Sequence, residues 1–590
     1  MVSARGLSEL RRRVGRFVRA VATLPLPLRL VLVAMAILHG VGLSWGMPAS
    51  DGWDVDGVAP RDIFPGIGLT FAPGQFYTYP PLQLLLVGVL TFPVLVAAAL
   101  RAGTTAVPGV IRTIVAPLYM TPITMTARAM AFAMSLGIVI AIAKIAEEIA
   151  PGRRRSLAGA AAGAVAGAGV PLTYYSHVTN LDVPYLFWAW LATLAWVRAV
   201  ARREPERLRG AAALAALAIA TKDQAYAMFL VAAPASVVAL VLVDRAIARR
   251  ALRSALEAVA VAAGLVLLLD GAIFNPTGFR ARLAFLAGPA SRDYATYAAT
   301  VRGRESVVDD VVRAFSWHYP DFLAPFAVLG LLLAIAGATR APARASRVVA
   351  AAIPAMVAAS FTFAFNLVAL RVEERFTMPQ MLAAAVYAGI GLERVASAFD
   401  VRVWLARALG SAIAGALLVA AVWRSVALDA NLLADPRYDA EAWLRSNVRP
   451  GDDIEVHGLS VYLIRFPPGA RVSRVGPTPI ERRNPMAGVT EVQAPLSAID
   501  ARRPRYVVAN ECFAGFFRGW ARGGPDGRIE PTSMRRDDDD TDATTFFRAL
   551  FDGRLPYRLV HESRFVSPLF PRIFLHGSVG CPVFVFERAD

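Results

Sequence analysis

Between residues 50 and 62 the chain reads SDGWDVDGVAPRD, which places Asp51, Asp54 and Asp56 within six positions, with Asp62 close behind. Carboxylates gathered in so small a volume repel one another. One of them then holds its proton more tightly and becomes a better general base, or the cluster holds a divalent cation. Trp53 and Pro60 restrict the loop between them. An Asp-x-Asp pair alone is common and usually solvated; here its position is informative, because it follows directly on the first long apolar run of the chain.

Single ionisable residues recur at the edges of later apolar runs. Lys222 lies in IATKDQAYAMF, Arg128 opens MTARAMAFAMSLG, Arg375 opens ERFTMPQMLAAAVYAG, and Asp182 lies in HVTNLDVPYLFWAW beside His177. Charge exposed to lipid is costly, so each should face the protein interior or a wet cavity. Cations placed there could bind a phosphate and stabilise it as a leaving group. The structural alternative for each is an interfacial anchor or an ion pair, such as Lys222 with Asp223, or Arg375 with Glu373 or Glu374.

The elements that must position these residues are membrane spans. The 590 residues are 56% hydrophobic and 18% charged, with a mean hydropathy of +0.48, too apolar for an ordinary soluble enzyme. A formal charge of +17 and an isoelectric point near 10.4 raise the question of nucleic acid. The basic residues, however, sit in short clusters between apolar runs, as cytoplasmic membrane loops do, and no nucleic-acid partner is expected. Cys512 and Cys581, with no CxxC, make a thiolate metal site or disulfide framework improbable, and the six histidines form no HExxH. An outer location would permit the two cysteines to pair.

The basic residues 1–25, including Arg5, Arg11, Arg12, Arg13, Arg16 and Arg19, put the N-terminus in the cytoplasm. The first span is then about 26–45. It is too long, and too poor in small residues at its end, for a cleaved signal peptide. The outer loop 46–78 follows. Residues 78–100 and 104–124 are apolar but broken by prolines, and form either a hairpin of spans or re-entrant segments. Further runs lie near 125–146, 156–174, 181–200, 210–221, 225–244, 255–274, 319–338, 348–369, 376–396 and 408–428. This gives about 13 spans within 26–428 at the usual length per crossing. The arginine clusters 153–155, 198–209, 245–253, 340–347 and 394–407 then all fall on the cytoplasmic side. The same count places the aspartate loop, Tyr79, SHVTNLD, TKDQ, 275–318, RVEER and everything after about 429 on the other side. Residues 429–590 change character, with more proline and charge, a helix over DAEAWLRSNV and β-rich pieces IEVHG, RYVVAN and CPVFVFE. They predict a small extracytoplasmic α/β domain in which the acidic run 537–542 is a solvated loop.

In order and spacing, the basic N-terminus, single span, acidic outer loop, YPPL (Tyr79 to Leu82), Arg128 at a span start, NLDVPYLFW, the Thr221-Lys222 pair and RFTMP (Arg375 to Pro379) resemble the GT-C membrane glycosyltransferases. Within these they are similar to the family 39 protein O-mannosyltransferase and aminoarabinose lipid A transferase group, over about residues 25 to 400. The resemblance implies an α-helical multi-pass enzyme of the bacterial inner membrane that passes a sugar from a polyprenyl-phosphate donor to a lipid, glycan or protein hydroxyl outside the cytoplasm, with inversion. It implies Asp54 or Asp56 as base, Arg128, Lys222 and Arg375 at the donor phosphate, and Asp51, Tyr79, His177 and Asp182 lining the cavity. No cofactor is certain, and a divalent cation on Asp54 and Asp56 stays open. The loop departs from the mannosyltransferase pattern in reading DVD rather than Asp-Glu, and Tyr79 rather than His precedes the prolines. A transporter or flippase of a lipid-linked solute is the alternative, and a non-catalytic envelope protein anchored by its spans is a second.

Overall fold

The computed structural model describes residues 22–49, 52–54, 57–58, 60–398, 404–483, 486–518, 539–573 and 579–589. Asp51, Asp56, the N-terminal arginines and the start of the acidic run 537–542 lie outside the described residues.

Apolar runs become helices because a backbone in lipid must satisfy its own hydrogen bonds. Among the described residues seven helices are long and apolar enough to cross a membrane: Pro117–Ile149, Asp182–Ala201, Asp223–Leu242, Ala248–Leu269, Asp321–Thr339, Arg344–Ala369 and Gly415–Asn447. Counting two bent pairs as one span each raises the number to nine. The chain is an integral membrane protein. Leu82–Leu90 and Phe92–Ala102, in the proline-rich stretch, meet at 78°, and Arg155–Gly167 and Val170–Ser176 meet at 69°. Proline starts several of these helices, where its missing N–H costs nothing: Pro93, Pro117 and Pro171 each occupy a first-turn position.

The centre of the bundle is built from Pro117–Ile149, Arg155–Gly167, Asp182–Ala201 and Glu374–Ala398, whose facing side chains form one buried cluster. The alanine- and glycine-rich Arg155–Gly167 lets its neighbours approach at backbone distance. Ala248–Leu269 is the opposite case, with few of its residues buried, as a helix at the lipid edge of the bundle requires.

After helix Trp404–Leu433 the chain enters an α/β unit. Its strands are β1 (Asp453–Val456), β2 (Arg471–Gly476), β3 (Val489–Gln493), β4 (Tyr506–Asn510), β5 (Tyr557–Ser563) and β6 (Val583–Arg588), in the order β3-β2-β1-β4-β6-β5. The first four run parallel, with Ile454 opposite both Val472 and Tyr506, and β6 runs antiparallel to β4 and β5. Alternate residues serve the two faces. Tyr506, Val508, Val583 and Val585 pack toward helix Pro436–Asn447, while Val507, Ala509, Phe584 and Phe586 pack toward helix Asp539–Phe551. β4 is buried along its whole length, as a central parallel strand is. Cys512 and Cys581 form a disulfide across a sequence separation of 69, joining the segments after β4 and before β6.

Candidate active site

Arg128 lies on the buried face of Pro117–Ile149 and is fully enclosed. Its Nη1 donates to the Leu43 and Trp45 carbonyl oxygens at 2.9 and 2.6 Å, so the guanidinium is held beneath the start of the first loop. Gly52 makes this approach possible, because a Cβ there would stand 2.6 Å from Arg128 Nη2. Asp54 follows on the same loop. It is 7% exposed and acts electrostatically on Arg128. A Cβ on Gly57 would meet both Asp54 Oδ2 and Thr179 Oγ1 at 2.8 Å, so the carboxylate and the Thr179 hydroxyl face each other across Gly57.

Thr179 belongs to the turn that leads to the second group of charges. Asn180 Oδ1 accepts the Asp182 N–H at 2.6 Å, an Asx turn that starts helix Asp182–Ala201. A carboxylate at a helix N-terminus is favoured by the helix dipole. Lys222 Nζ donates to Asp182 Oδ1 at 2.7 Å, and Gln224 Nε2 lies 3.4 Å from the same oxygen. Asp182 is completely buried and Lys222 nearly so. Lys222 sits in extended backbone at the break after Leu208–Ile219, so its side chain can cross to a different helix.

Arg375 lies in the first turn of Glu374–Ala398, an unfavourable end for a cation, and Glu373 offsets this by bonding it at 3.0 Å. Arg371 bonds the other Glu373 oxygen at 2.6 Å. Three cations converge on one ring: Arg375, Arg371 and Lys222 stand 4.6, 4.7 and 5.5 Å from the centre of Phe376, and Lys222 is also 5.8 Å from the Tyr185 ring. Asp182 and Glu373 bond these cations, and Glu374 adjoins Arg375 in the chain, so the cluster is a set of paired charges around Phe376.

The YPPL segment reaches the same place. Leu82 N–H donates to the Ala220 carbonyl oxygen at 3.1 Å, which brings the end of that segment beside the Lys222 junction, while Tyr79 packs against the cluster of Val58, Ile63 and Leu84. Tyr77 stands 6.3 Å from Tyr79, ring to ring. Burial, with Asp62 bonded beside it, pushes the Tyr77 hydroxyl well above its ordinary value and keeps it a hydrogen-bond donor. His177 is an interior joint, its Nδ1 2.6 Å from the Thr173 carbonyl oxygen, its Nε2 2.5 Å from that of Val41, and Asp429 at 3.8 Å.

The structure thus brings Asp54 beside Arg128, and Asp182 beside Lys222 and Arg375, with Thr179 to Asp182 as the short bridge between the groups. Asp51 and Asp56 lie outside the described residues. Lys222 pairs with Asp182 rather than with its neighbour Asp223, which bonds Arg282 at 2.5 Å. Of the two partners considered for Arg375, Glu373 bonds it. Sequence reasoning did not single out Arg371, Phe376, Tyr185, Tyr77 or Thr179. The spacing of Arg371 and Arg375 about Glu373 in RVEER was the available signal; Phe376 carried none, because an aromatic in an apolar run reads as core.

Among the described residues no three His, Cys, Asp or Glu side chains converge as a metal site would require. The described part of the acidic loop offers Asp54, beside the Arg128 guanidinium, and Asp62, which is bonded to Tyr77.

Fold and site together define an integral membrane protein with a buried cluster of paired charges at the ends of its helices and an α/β unit joined to the bundle. No family model and no curated protein matches the chain. Solved membrane glycosyltransferases of the GT-C fold are similar to it. The archaeal oligosaccharyltransferase AglB from Archaeoglobus fulgidus, in complex with an inhibitory peptide and a dolichol-phosphate, is 13% identical, with 95% of this chain and 88% of that one covered and a TM-score of 0.47. The same oligosaccharyltransferase in complex with Zn and sulfate gives 13%, 95%, 88% and 0.43. ArnT from Cupriavidus metallidurans bound to undecaprenyl phosphate is 14% identical, covering 85% of this chain and 96% of its own, with a TM-score of 0.41. All three TM-scores are below 0.5, and the chemistry assigned to this chain rests on its own residues.

Proposed function

We propose that the protein is a membrane glycosyltransferase that moves a sugar from a polyprenyl-phosphate donor to an acceptor hydroxyl on the extracytoplasmic side, inverting the anomeric centre. The observation that carries this reading is the placement of a buried carboxylate, Asp54, one short turn of chain (179–182) away from three cations gathered around Phe376. A base and a phosphate site so arranged can flank one anomeric carbon.

Asp54 takes the proton from the acceptor hydroxyl, or Asp56 does, if that neighbour is the one turned inward. The acceptor oxygen bonds to the anomeric carbon as the bond from that carbon to the phosphate oxygen breaks, and the electron pair leaves on the phosphate. Lys222, Arg375 and Arg371 stabilise that charge. Arg128 adds positive charge beside the base, which favours its ionised, proton-accepting form, and anchors the loop that carries it. Asp182 and Glu373 hold the cations in place before the donor arrives. His177 ties the Val41 carbonyl, at the end of the first apolar helix, to Thr173 and so supports the loop from behind. The bacterial inner membrane, with the arginine clusters inside, is the location that fits such a donor.

The test is transfer of radiolabelled sugar from a polyprenyl-phosphate donor by the purified full chain in lipid. Asp54→Asn is expected to leave folding and membrane insertion intact and to cut turnover by about 10²–10⁴. Full transfer by both Asp54→Asn and Asp56→Asn would remove the base from the mechanism. The two broken helices, bent by 78° and 69°, are what the transporter alternative has in its favour. Label that crosses the bilayer while remaining on its carrier, with no covalent transfer to any acceptor, would favour that reading instead.

A further inference from the structure

The α/β unit reaches back onto the first loop through a buried, polar clamp. Helix Trp404–Leu433 passes through Ala434 and Asp435 into Pro436–Asn447. Asp435 caps the second helix by accepting the Arg437 N–H at 3.0 Å, and pairs with the Arg437 side chain through two bonds of 2.8 and 2.7 Å, both residues being fully buried. From the loop side, Trp45 Nε1 donates to Asp435 Oδ2 at 3.1 Å. The Arg437 guanidinium lies 4.1 Å from the Trp53 ring and 5.1 Å from that of Trp45.

The segment after β1 completes the grip. Arg437 Nη1 donates to the Val461 carbonyl oxygen at 2.8 Å, and Trp53 Nε1 to that of Leu463 at 2.9 Å. Arg465, held by Glu441, donates to the Met47 carbonyl oxygen at 2.8 Å, and the Tyr438 hydroxyl accepts the Gly46 N–H at 2.9 Å. Trp45, Gly46, Met47 and Trp53 are therefore fixed from the α/β unit, and the residue after Trp53 is Asp54.

A buried ion pair is a poor way to gain stability, since apolar residues of equal volume often do as well, but its directional bonds fix one geometry. Both tryptophan N–H groups are used, so a shift of the loop would break buried hydrogen bonds. We infer that the α/β unit is a positioning element for the chemical step: Arg437, Asp435 and Trp53 set the register in which Asp54 meets Arg128 and Thr179. This rests on the proposed transfer reaction with Asp54 as base. The cations Lys222, Arg371 and Arg375 donate to Asp182 and Glu373 of the helical bundle, so loosening the clamp acts on turnover and leaves donor binding in place.

The experiment uses the full chain in lipid and the variants Arg437→Lys and Trp53→Phe. Lysine keeps the charge but loses the planar fork and the stacking, and phenylalanine keeps the ring but loses the N–H donor. Two quantities are read: amide hydrogen exchange of residues 45–53, and kcat with donor KM for sugar transfer. Both variants are expected to exchange about tenfold faster in that loop, and to lose on the order of 10²-fold in kcat, with donor KM within about twofold of the parent. Unchanged loop exchange, or faster exchange with kcat intact, or an effect confined to KM, would overturn the inference. If Arg437→Lys also opens β1 and β4 to exchange, Trp53→Phe decides, because it changes no residue of the α/β unit. Asp54→Asn is assayed alongside. Should it retain full transfer, the reaction assigned to Asp54 fails, while loop exchange still reports whether the clamp exists.

Discussion

Lys222 and Asp182 are bound to each other before any substrate arrives, and that sets what their loss would cost. Removing Lys222 alone takes from a fully buried carboxylate the cation bonded to it and leaves Gln224 Nε2 at 3.4 Å. Breaking one side of such a pair typically costs about 3–5 kcal/mol, while replacing both sides by apolar residues is often close to neutral. Lys222→Met should therefore lower the thermal unfolding temperature sharply, and Lys222→Met with Asp182→Leu should recover most of it without recovering transfer. Transfer restored in the double variant would show that Lys222 has no part in the chemistry; stability lost equally in both would show that the pair is not what holds this junction. At this scale the sequence made the charges legible and their partners illegible. Lys222 stood out because a cation in an apolar stretch must be satisfied, but its neighbour Asp223 was an equally good partner on paper. Adjacent residues do not face each other: Lys222 is extended toward Asp182, and Asp223 opens a short 3₁₀ turn toward Arg282.

Helices have to hold these side chains, and their contacts depend on residues with no chemistry at all. Asp321–Thr339 and Glu374–Ala398 cross so closely that a methyl group on Gly330 would stand 1.8 Å from the Tyr387 carbonyl oxygen, and one on Gly391 would stand 2.1 Å from that of Phe326. Backbone cannot yield as a flexible side chain can. Gly330→Ala and Gly391→Ala should each cost about 1–3 kcal/mol or more by overpacking. They should also displace Glu374–Ala398, which begins with Arg375. Gly264→Ala, on the lipid-facing helix with open space around it, is the control, and its unfolding temperature should be unchanged or slightly raised. Equal behaviour of all three would mean that close approach is not what joins these helices. The apolar runs near 319–338 and 376–396 were readable from hydropathy; the glycine contact was not, because hydropathy averages over the face on which small residues matter. Hydropathy was equally blind to the bend inside the run 156–174, where Gly169-Val170-Pro171 ends one helix and starts another.

Two independent physical arguments bear on how the whole chain sits in a membrane, and they can be set against each other. Arginine clusters such as 153–155 should stay in the cytoplasm, because translocating them is unfavourable. The Cys512–Cys581 disulfide should form only where the compartment is oxidising, which for such a chain is the opposite side. The sequence showed a change of character near 429 and permitted the bond; that the two cysteines meet depends on β4 and β6 being neighbours, a pairing that no local pattern encodes. Both arguments predict that the α/β unit and the arginine loops lie on different sides. In intact cells, a membrane-impermeant thiol reagent should label Cys512 and Cys581 only after an impermeant reductant has opened the bridge. In a chain carrying Arg153→Cys, on an exposed turn, the new thiol should react only once the membrane is permeabilised. Opening the bridge should also lower the stability of the α/β unit by about 2–5 kcal/mol, visible as earlier unfolding under reducing conditions. If position 153 is labelled from outside, or if the native cysteines are reached only from within, the inside-out order of loops is reversed. Asp54 would then face the cytoplasm, and a donor presented on the outer leaflet could not meet it.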